Sequence, residues 1–160
     1  MDSNELLETH EDHKENIDDW VLWDIVYRGG IRLINYAITQ HPRESSQNFI
    51  ARRNEAVVFN HSRSVIDLYS YYLNEKDAMR DMGELANDSQ WQMFKRDCDL
   101  YGTDFNTFMV NAQKSASIFG SVGVLIDKPN TSFSTKADEV ANGIYPYCNL
   151  YTLPNILDWK

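Results

Sequence analysis

The chain has 160 residues, 42% hydrophobic and 12% aromatic, with a net charge of −9. That length suits one domain or part of a larger one, and the apolar share excludes a wholly disordered chain. No run of about eighteen apolar residues occurs, so no segment reads as a membrane-spanning helix, and the acidic balance argues against gripping DNA phosphates through bulk charge.

The charge is unevenly spread. Residues 1–24 hold nine acids and one base, Lys14, for −8, while residues 25–160 hold fifteen acids and fourteen bases, for −1. Residues 1–15 read as an acidic arm, mobile or weakly helical, on a nearly neutral body. They carry no positive n-region and no apolar h-region, so they do not read as a secretory signal. Cys98 and Cys148 have no CxxC spacing and are expected as free thiols in a reducing compartment.

Asn16 is the expected cap of a first helix, with Asp18 and Asp19 in its first turn, where negative charge suits the helix dipole. Trp20 to Tyr27 is apolar on more than one face, which predicts a helix between neighbours. Gly29-Gly30 stops or bends it. Ile31 to Ile38 keeps helical spacing until His41-Pro42 ends it. Arg43 to Arg53 predicts a short helix, and Val57 to Leu73 a long amphipathic one with a break near Asn60. Tyr69, Tyr71 and Tyr72 read as core or interface filling rather than a base-stacking platform. Asn74 to Gln90 is charged and irregular. Trp91 to Leu100 predicts another short helix, and Thr103 or Asp104 caps the most regular one, through Phe105, Phe108, Ala112 and Phe119.

The character changes at Gly120. Val122 to Ile126 predicts a buried strand, Thr131 to Gly143 a polar loop, and Ile144 to Tyr151 a second strand with Pro146 near its start. Ile156 to Trp159 reads as the start of a third strand, so the chain is expected to continue past Lys160. The fold class is α+β: helices over roughly 16–119, then a small antiparallel sheet.

The search for chemistry assigns no catalytic, cofactor or metal residues. His10-Glu11-Asp12-His13 could offer two imidazoles to a metal on a helix, but it lacks apolar neighbours to build supporting contacts. Asp127 after a β-branched run resembles a magnesium-positioning aspartate, yet no phosphate-cradling GxxxxGK[ST] loop accompanies it, so it reads as a cap on the Lys128-Pro129-Asn130 turn. Gly120 to Gly123 is not a GxSxG elbow. Asp97 and Asp99 flank Cys98 and would dull it as a nucleophile. One cluster stands out: residues 28–63 hold Arg28, Arg32, Arg43, Arg52, Arg53 and Arg63 against only Glu44 and Glu55. Guanidinium groups suit bidentate pairing with carboxylate or phosphate, so this is a candidate interaction surface for DNA, an acidic partner or the chain's own arm. Intrachain salt bridges are the weightier alternative.

An ordered series of short segments carries a resemblance. It runs through Trp23, Tyr27-Arg28-Gly29-Gly30, His41-Pro42-Arg43-Glu44 and Phe49-Ile50-Ala51-Arg52-Arg53. It continues through Tyr101-Gly102-Thr103-Asp104-Phe105, Phe119 to Pro129, and Tyr147 to Trp159. Over most of residues 20–160 the chain resembles the N-terminal part of portal proteins of tailed double-stranded-DNA bacteriophages. The resemblance implies that 16–160 is a wing-like portion of a ring, commonly of twelve subunits, at one capsid vertex of the virion, assembled in the host cytoplasm. Implied partners are other portal subunits, capsid and scaffold proteins, and, for the full-length protein, terminase and the tail adaptor. Double-stranded DNA would pass through without sequence-specific binding. The resemblance implies no enzyme, no cofactor and no membrane. Two other readings compete: a small cytosolic adaptor or regulatory module whose acidic arm binds a basic partner, and a metal-dependent enzyme built on Asp127 and the histidines.

Overall fold

The computed structural model describes residues 8–130 and 132–159. It is an α+β structure of seven α-helices and one two-stranded antiparallel sheet among those residues. Residues 1–7, part of the expected arm, lie outside the description.

Helix α1 runs from Glu11 to Arg28, six residues earlier at its cap than expected. His10 is the cap, its Nδ1 accepting from the Asp12 amide at 3.2 Å. Asn16 instead donates from Nδ2 to the Asp12 carbonyl at 2.8 Å, a back-bond inside the helix. Residues 11–15 are therefore ordered helix, anchored by the buried His13. Gly29, at φ 64° and ψ −150°, ends α1 and starts α2 (Gly30–Ala37) in one step, and Ile34 is buried on α2.

Helix α3 (Ser46–Glu55) is capped by Ser45 and has no fully buried residue. Arg52 ties it to the preceding loop, donating to Glu44 through Nε at 2.9 Å and Nη2 at 2.7 Å, and to the Thr39 carbonyl at 2.9 Å. These bonds, from Arg52 first, hold the Glu44 carboxyl at about 2, below its ordinary 4.5. A carboxyl lowered on folding contributes stability above its unfolded pKa and loses it as pH falls from about 4.5 through about 2. An NMR pH titration should place the Glu44 midpoint near 2 and return it toward 4.5 in Arg52→Gln.

Helix α4 (His61–Leu73) follows the break at Asn60, whose Oδ1 caps it by accepting from the Arg63 amide at 2.9 Å. The orientation of α4 differs from the usual amphipathic helix. Val65, Leu68, Tyr69 and Tyr72 recur at i, i+3, i+4 and i+7, the spacing of a core-facing stripe, yet all four are more than half exposed. The inward face carries Asp67 and the buried Ser70, which hydrogen-bonds Gln113 of the next long helix at 3.0 Å. Polar contacts thus occupy the inward face, while the apolar stripe faces outward.

A 3₁₀ turn at Gly83–Asn87 precedes α5 (Ser89–Arg96), so part of the irregular stretch 74–90 is ordered and the helix starts earlier than Trp91. Asp88 caps α5 by accepting from the amides of Gln90 and Trp91. Helix α6 (Phe105–Phe119) starts at Asp104, which accepts from the amides of Asn106 and Thr107, and ends at Gly120 in the left-handed region. It is the spine of the molecule, touching α1, α4, α5 and both strands. The main core lies at its N-terminal end, where Cys98, Phe108 and Cys148 are buried with Phe94, Phe105 and Leu150 around them.

Strands β1 (Val122–Asp127) and β2 (Tyr147–Thr152) pair antiparallel, from Val122 opposite Thr152 to Asp127 opposite Tyr147. β1 is not the buried strand expected: Val124, Leu125 and Ile126 are exposed, although successive residues point to opposite faces. No third strand forms at Ile156 to Trp159. The 3₁₀ turn Leu153–Asn155, with Pro154 inside it, carries the chain off the sheet and onto α1. There His10 donates its amide to the Leu157 carbonyl at 2.8 Å, and its ring stacks on Trp159 at 4.4 Å.

The expected polar loop at 131–143 also contains a helix, α7 (Lys136–Ala141). Its signal is Thr135-x-x-Asp138, a capping-box pattern: the Thr135 hydroxyl accepts from the Asp138 amide at 3.2 Å and donates to its carboxylate at 2.6 Å. Glu139 then takes Lys128 at 2.6 Å, and Lys136 pairs with Asp88, so α7 is pinned to the sheet and to α5 by charge.

Candidate interaction cleft

Gly29 brings α2 back beside α1, and α4 and α6 pack on α1 from another side. Between these elements lies an open cleft of about 1030 Å³, reaching to the turn at Leu153–Asn155. Its charged lining is Asp24 and Arg28 from α1, Arg32 from α2, Arg63 from α4 and Lys114 from α6.

An acid hub sits beside it. Asp67 accepts from the Tyr27 hydroxyl at 2.8 Å, from Lys114 at 2.8 Å and from Arg63 at 3.4 Å. Bonding to Lys114, then to Tyr27, holds the Asp67 carboxyl below its ordinary value. Lys114 is raised in return by Asp67. Partial burial, then the bond to Asp67, raises Tyr27. Arg28 pairs with Asp24 at 2.6 Å one turn away. These pairs are solvent-accessible and hold geometry more than stability, at about 0–1 kcal/mol each. Arg32 is exposed and has no acid within ion-pair reach among the described residues. With four bases against Asp24 and Asp67, the cleft carries +2.

The six arginines do not form one surface. Arg28, Arg32 and Arg63 share this cleft. Arg43 and Arg52 line a separate hollow over residues 39–44. Arg53 folds back over the Phe49 ring at 5.3 Å. Lys114 and Asp67 were not singled out from the sequence, because their spacing along α4 and α6 does not reveal which faces of those helices meet.

The other candidates have structural employment. His13 is buried, its Nε2 3.4 Å from the Pro154 carbonyl and its ring edge-on to Trp20, while His10 caps α1. Asp127 caps its turn by accepting from the Lys128 amide at 2.7 Å, and accepts from the Tyr147 hydroxyl at 3.2 Å. Cys98 and Cys148 are free and buried. Burial, more than the flanking acids, pushes the Cys98 thiol up to about 11. Among the described residues no group of three or more His, Cys, Asp or Glu side chains is placed to hold a metal ion, and no helix is long and apolar enough to cross a membrane. No protein-family model matches the chain, and no curated protein matches it.

Proposed function

We propose that this chain is a structural component of a phage portal ring, the DNA conduit at one capsid vertex that serves procapsid assembly, genome packaging and tail attachment. The observation that carries this reading is the outward apolar stripe of α4. Val65, Leu68, Tyr69 and Tyr72 continue onto Phe59, 81% exposed, and Val57, 76% exposed, just before the helix. Exposed apolar side chains in this number on one segment are the kind of surface that another protein chain covers.

The total area supports the same reading. The chain exposes 11915 Å², whereas a compact monomer of 18.6 kDa exposes about 8,200 Å². The area that any nine residues can expose, about 1,400 Å², is less than this excess. The ordered motif series of the sequence supports the identity proposed for the assembly; the geometry supports an uncovered surface. In this role the chain makes no bond and needs no cofactor: it works by shape and repeated subunit contact, with capsid, scaffold, terminase and tail proteins as further partners of the whole protein. DNA would pass through such a ring without sequence-specific contacts.

The test is electron microscopy of the whole gene product, wild type and Leu68→Lys/Tyr72→Lys. Closed rings are expected for the wild type and their loss for the variant, with unfolding free energies within about 0.5 kcal/mol of each other, because both side chains are exposed. A wild-type product that never forms rings would overturn the reading. The adaptor reading is favoured by one observation, an exposed row of acids on α1; it predicts a monomer or dimer that binds a basic partner in a salt-sensitive way.

A further inference from the structure

We propose that Cys98 and Cys148 are a latent disulfide pair: two thiols while the surroundings are reducing, and one intrachain bridge once a disulfide oxidant reaches the protein. This pairing is independent of the portal reading.

The two residues stand fifty positions apart in the sequence and meet through the fold. The Cys148 amide donates to the Cys98 carbonyl at 2.6 Å. Ordinary backbone dimensions then hold the two Cα atoms within about 6.5 Å of each other. Disulfides span Cα separations of about 4.4–6.8 Å, so the backbone spacing meets the first demand of a bridge. The second demand is a common direction. Both side chains are buried, at 0% and 3% exposure, in one cluster with Phe108. On β2, Cys148 shares its face with Leu150, which packs on that same cluster. The Cys98 thiol is raised by burial first, then by Asp99 and then by Cys148 itself, so the two sulfurs lie within electrostatic reach of each other.

The loop between α5 and α6 keeps the pair together. The Cys98 amide donates to the Thr103 carbonyl at 2.8 Å, and Asp99 accepts from the amides of Tyr101 and Thr103 at 2.9 and 3.2 Å. The same loop is the route of entry. Leu100 sits at φ 64°, a conformation that costs a residue with a side chain, and Tyr101 is exposed. Local opening of residues 97–104 therefore uncovers Cys98 without unfolding α6.

With oxidised glutathione as the oxidant, Cys98 releases its proton to solvent and its thiolate attacks one glutathione sulfur. The first glutathione leaves as a thiolate, and a mixed disulfide remains on Cys98. The Cys148 thiolate then attacks the Cys98 sulfur and expels the second glutathione. Two protein thiols become one disulfide, one glutathione disulfide becomes two glutathione thiols, and the two protons end on those thiols. Thiolate is the attacking species, so burial and the raised Cys98 thiol make the reaction slow. The bridge is thus a staple set by sustained oxidation. It closes the segment that holds α6, β1 and α7 onto the first half of β2.

The test is the glutathione equilibrium of the full chain, in buffer and in strong urea, approached from the reduced chain and from chain oxidised in urea. Free thiols are then blocked, and masses and cross-linked peptides are read. The ratio of bridged to reduced chain gives the effective concentration of one thiol at the other. The native value should exceed the urea value by at least about tenfold, because folding holds together two thiols that the unfolded chain must bring together by closing a long loop. By the same thermodynamic cycle the bridged chain should fold more favourably than the reduced chain by that factor, which raises its urea midpoint. Cys148→Ala in oxidised glutathione should show no such rise, which separates the bridge from other oxidation. A native effective concentration no higher than the urea value, a bridged chain with a lower urea midpoint, or bridges that form only between copies overturns the pairing. A chain that forms no rings but closes this bridge overturns the portal reading alone.

Discussion

Phe108→Ala is expected to lower the unfolding free energy by about 3–5 kcal/mol, a large share of the roughly 5–15 kcal/mol that holds an ordinary domain folded. Phe108 is 5% exposed and lies in the cluster that joins α6 to the loop at Cys98 and to β2 at Cys148. The backbone closes the same junction, with the Cys148 amide donating to the Cys98 carbonyl at 2.6 Å and the Cys98 amide to the Thr103 carbonyl at 2.8 Å. Removing the ring leaves a cavity between elements that those hydrogen bonds prevent from collapsing, so both the transfer loss and the cavity term apply. Few other side chains are buried as deeply, so little elsewhere compensates. Urea unfolding followed by circular dichroism measures the change. A loss below about 1 kcal/mol would mean that the helix and sheet do not share this core.

Gly29→Ala should cost about 2–4 kcal/mol, by two separable routes. The first is backbone strain. At φ 64° and ψ −150° Gly29 occupies a region that only glycine enters readily, worth about 1–3 kcal/mol to any other residue. The second is contact. A Cβ at Gly29 would come within 2.5 Å of Asn60 Nδ2. That amide is not free to move, because it donates to the Val26 carbonyl at 2.6 Å and to the Tyr27 carbonyl at 3.0 Å, while its oxygen caps α4. Displacing it uncaps α4, at about 1 kcal/mol, and leaves the last carbonyls of α1 without donors. Gly30→Ala is the control. Its φ is also positive at 61°, but no atom lies within 4 Å of the added carbon, so strain acts alone. In a double-mutant cycle Gly29→Ala should cost less in an Asn60→Ala background than in wild type, and Gly30→Ala should cost the same in both.

These two sites show where residue types alone are informative. Gly29-Gly30 read as a stop or bend, and the bend is there; Asn60 read as a break, and the break is there. Neither residue revealed that the two meet, since 31 positions separate Gly29 from Asn60 along the chain. The shorter-range errors have local causes. His10 is outside the usual set of capping residues, so the start of α1 was placed at Asn16. Thr135-x-x-Asp138 was a legible capping box in a stretch whose polarity read as loop.

What the sequence determined by itself was local: the change from helix to strand at Gly120, a cap at Thr103 or Asp104, the break near Asn60, the glycine break after Arg28, the two free cysteines, and the α+β class. All of these follow from backbone preferences and side-chain periods within a few residues. Direction was decided only in the tertiary structure. The stripe Val65, Leu68, Tyr69 and Tyr72 has the period of a core face, but the face that packs inward is the one on which Ser70 and Asp67 meet Gln113, Lys114 and Tyr27, and the stripe lies on the outside. The arginine run was visible as composition, yet its division into a cleft with Arg28, Arg32 and Arg63 and a separate hollow with Arg43 and Arg52 depended on how α2 and α4 return to α1. Periodicity specifies that a helix has two faces; only the packing of distant segments against it decides which of them is turned inward.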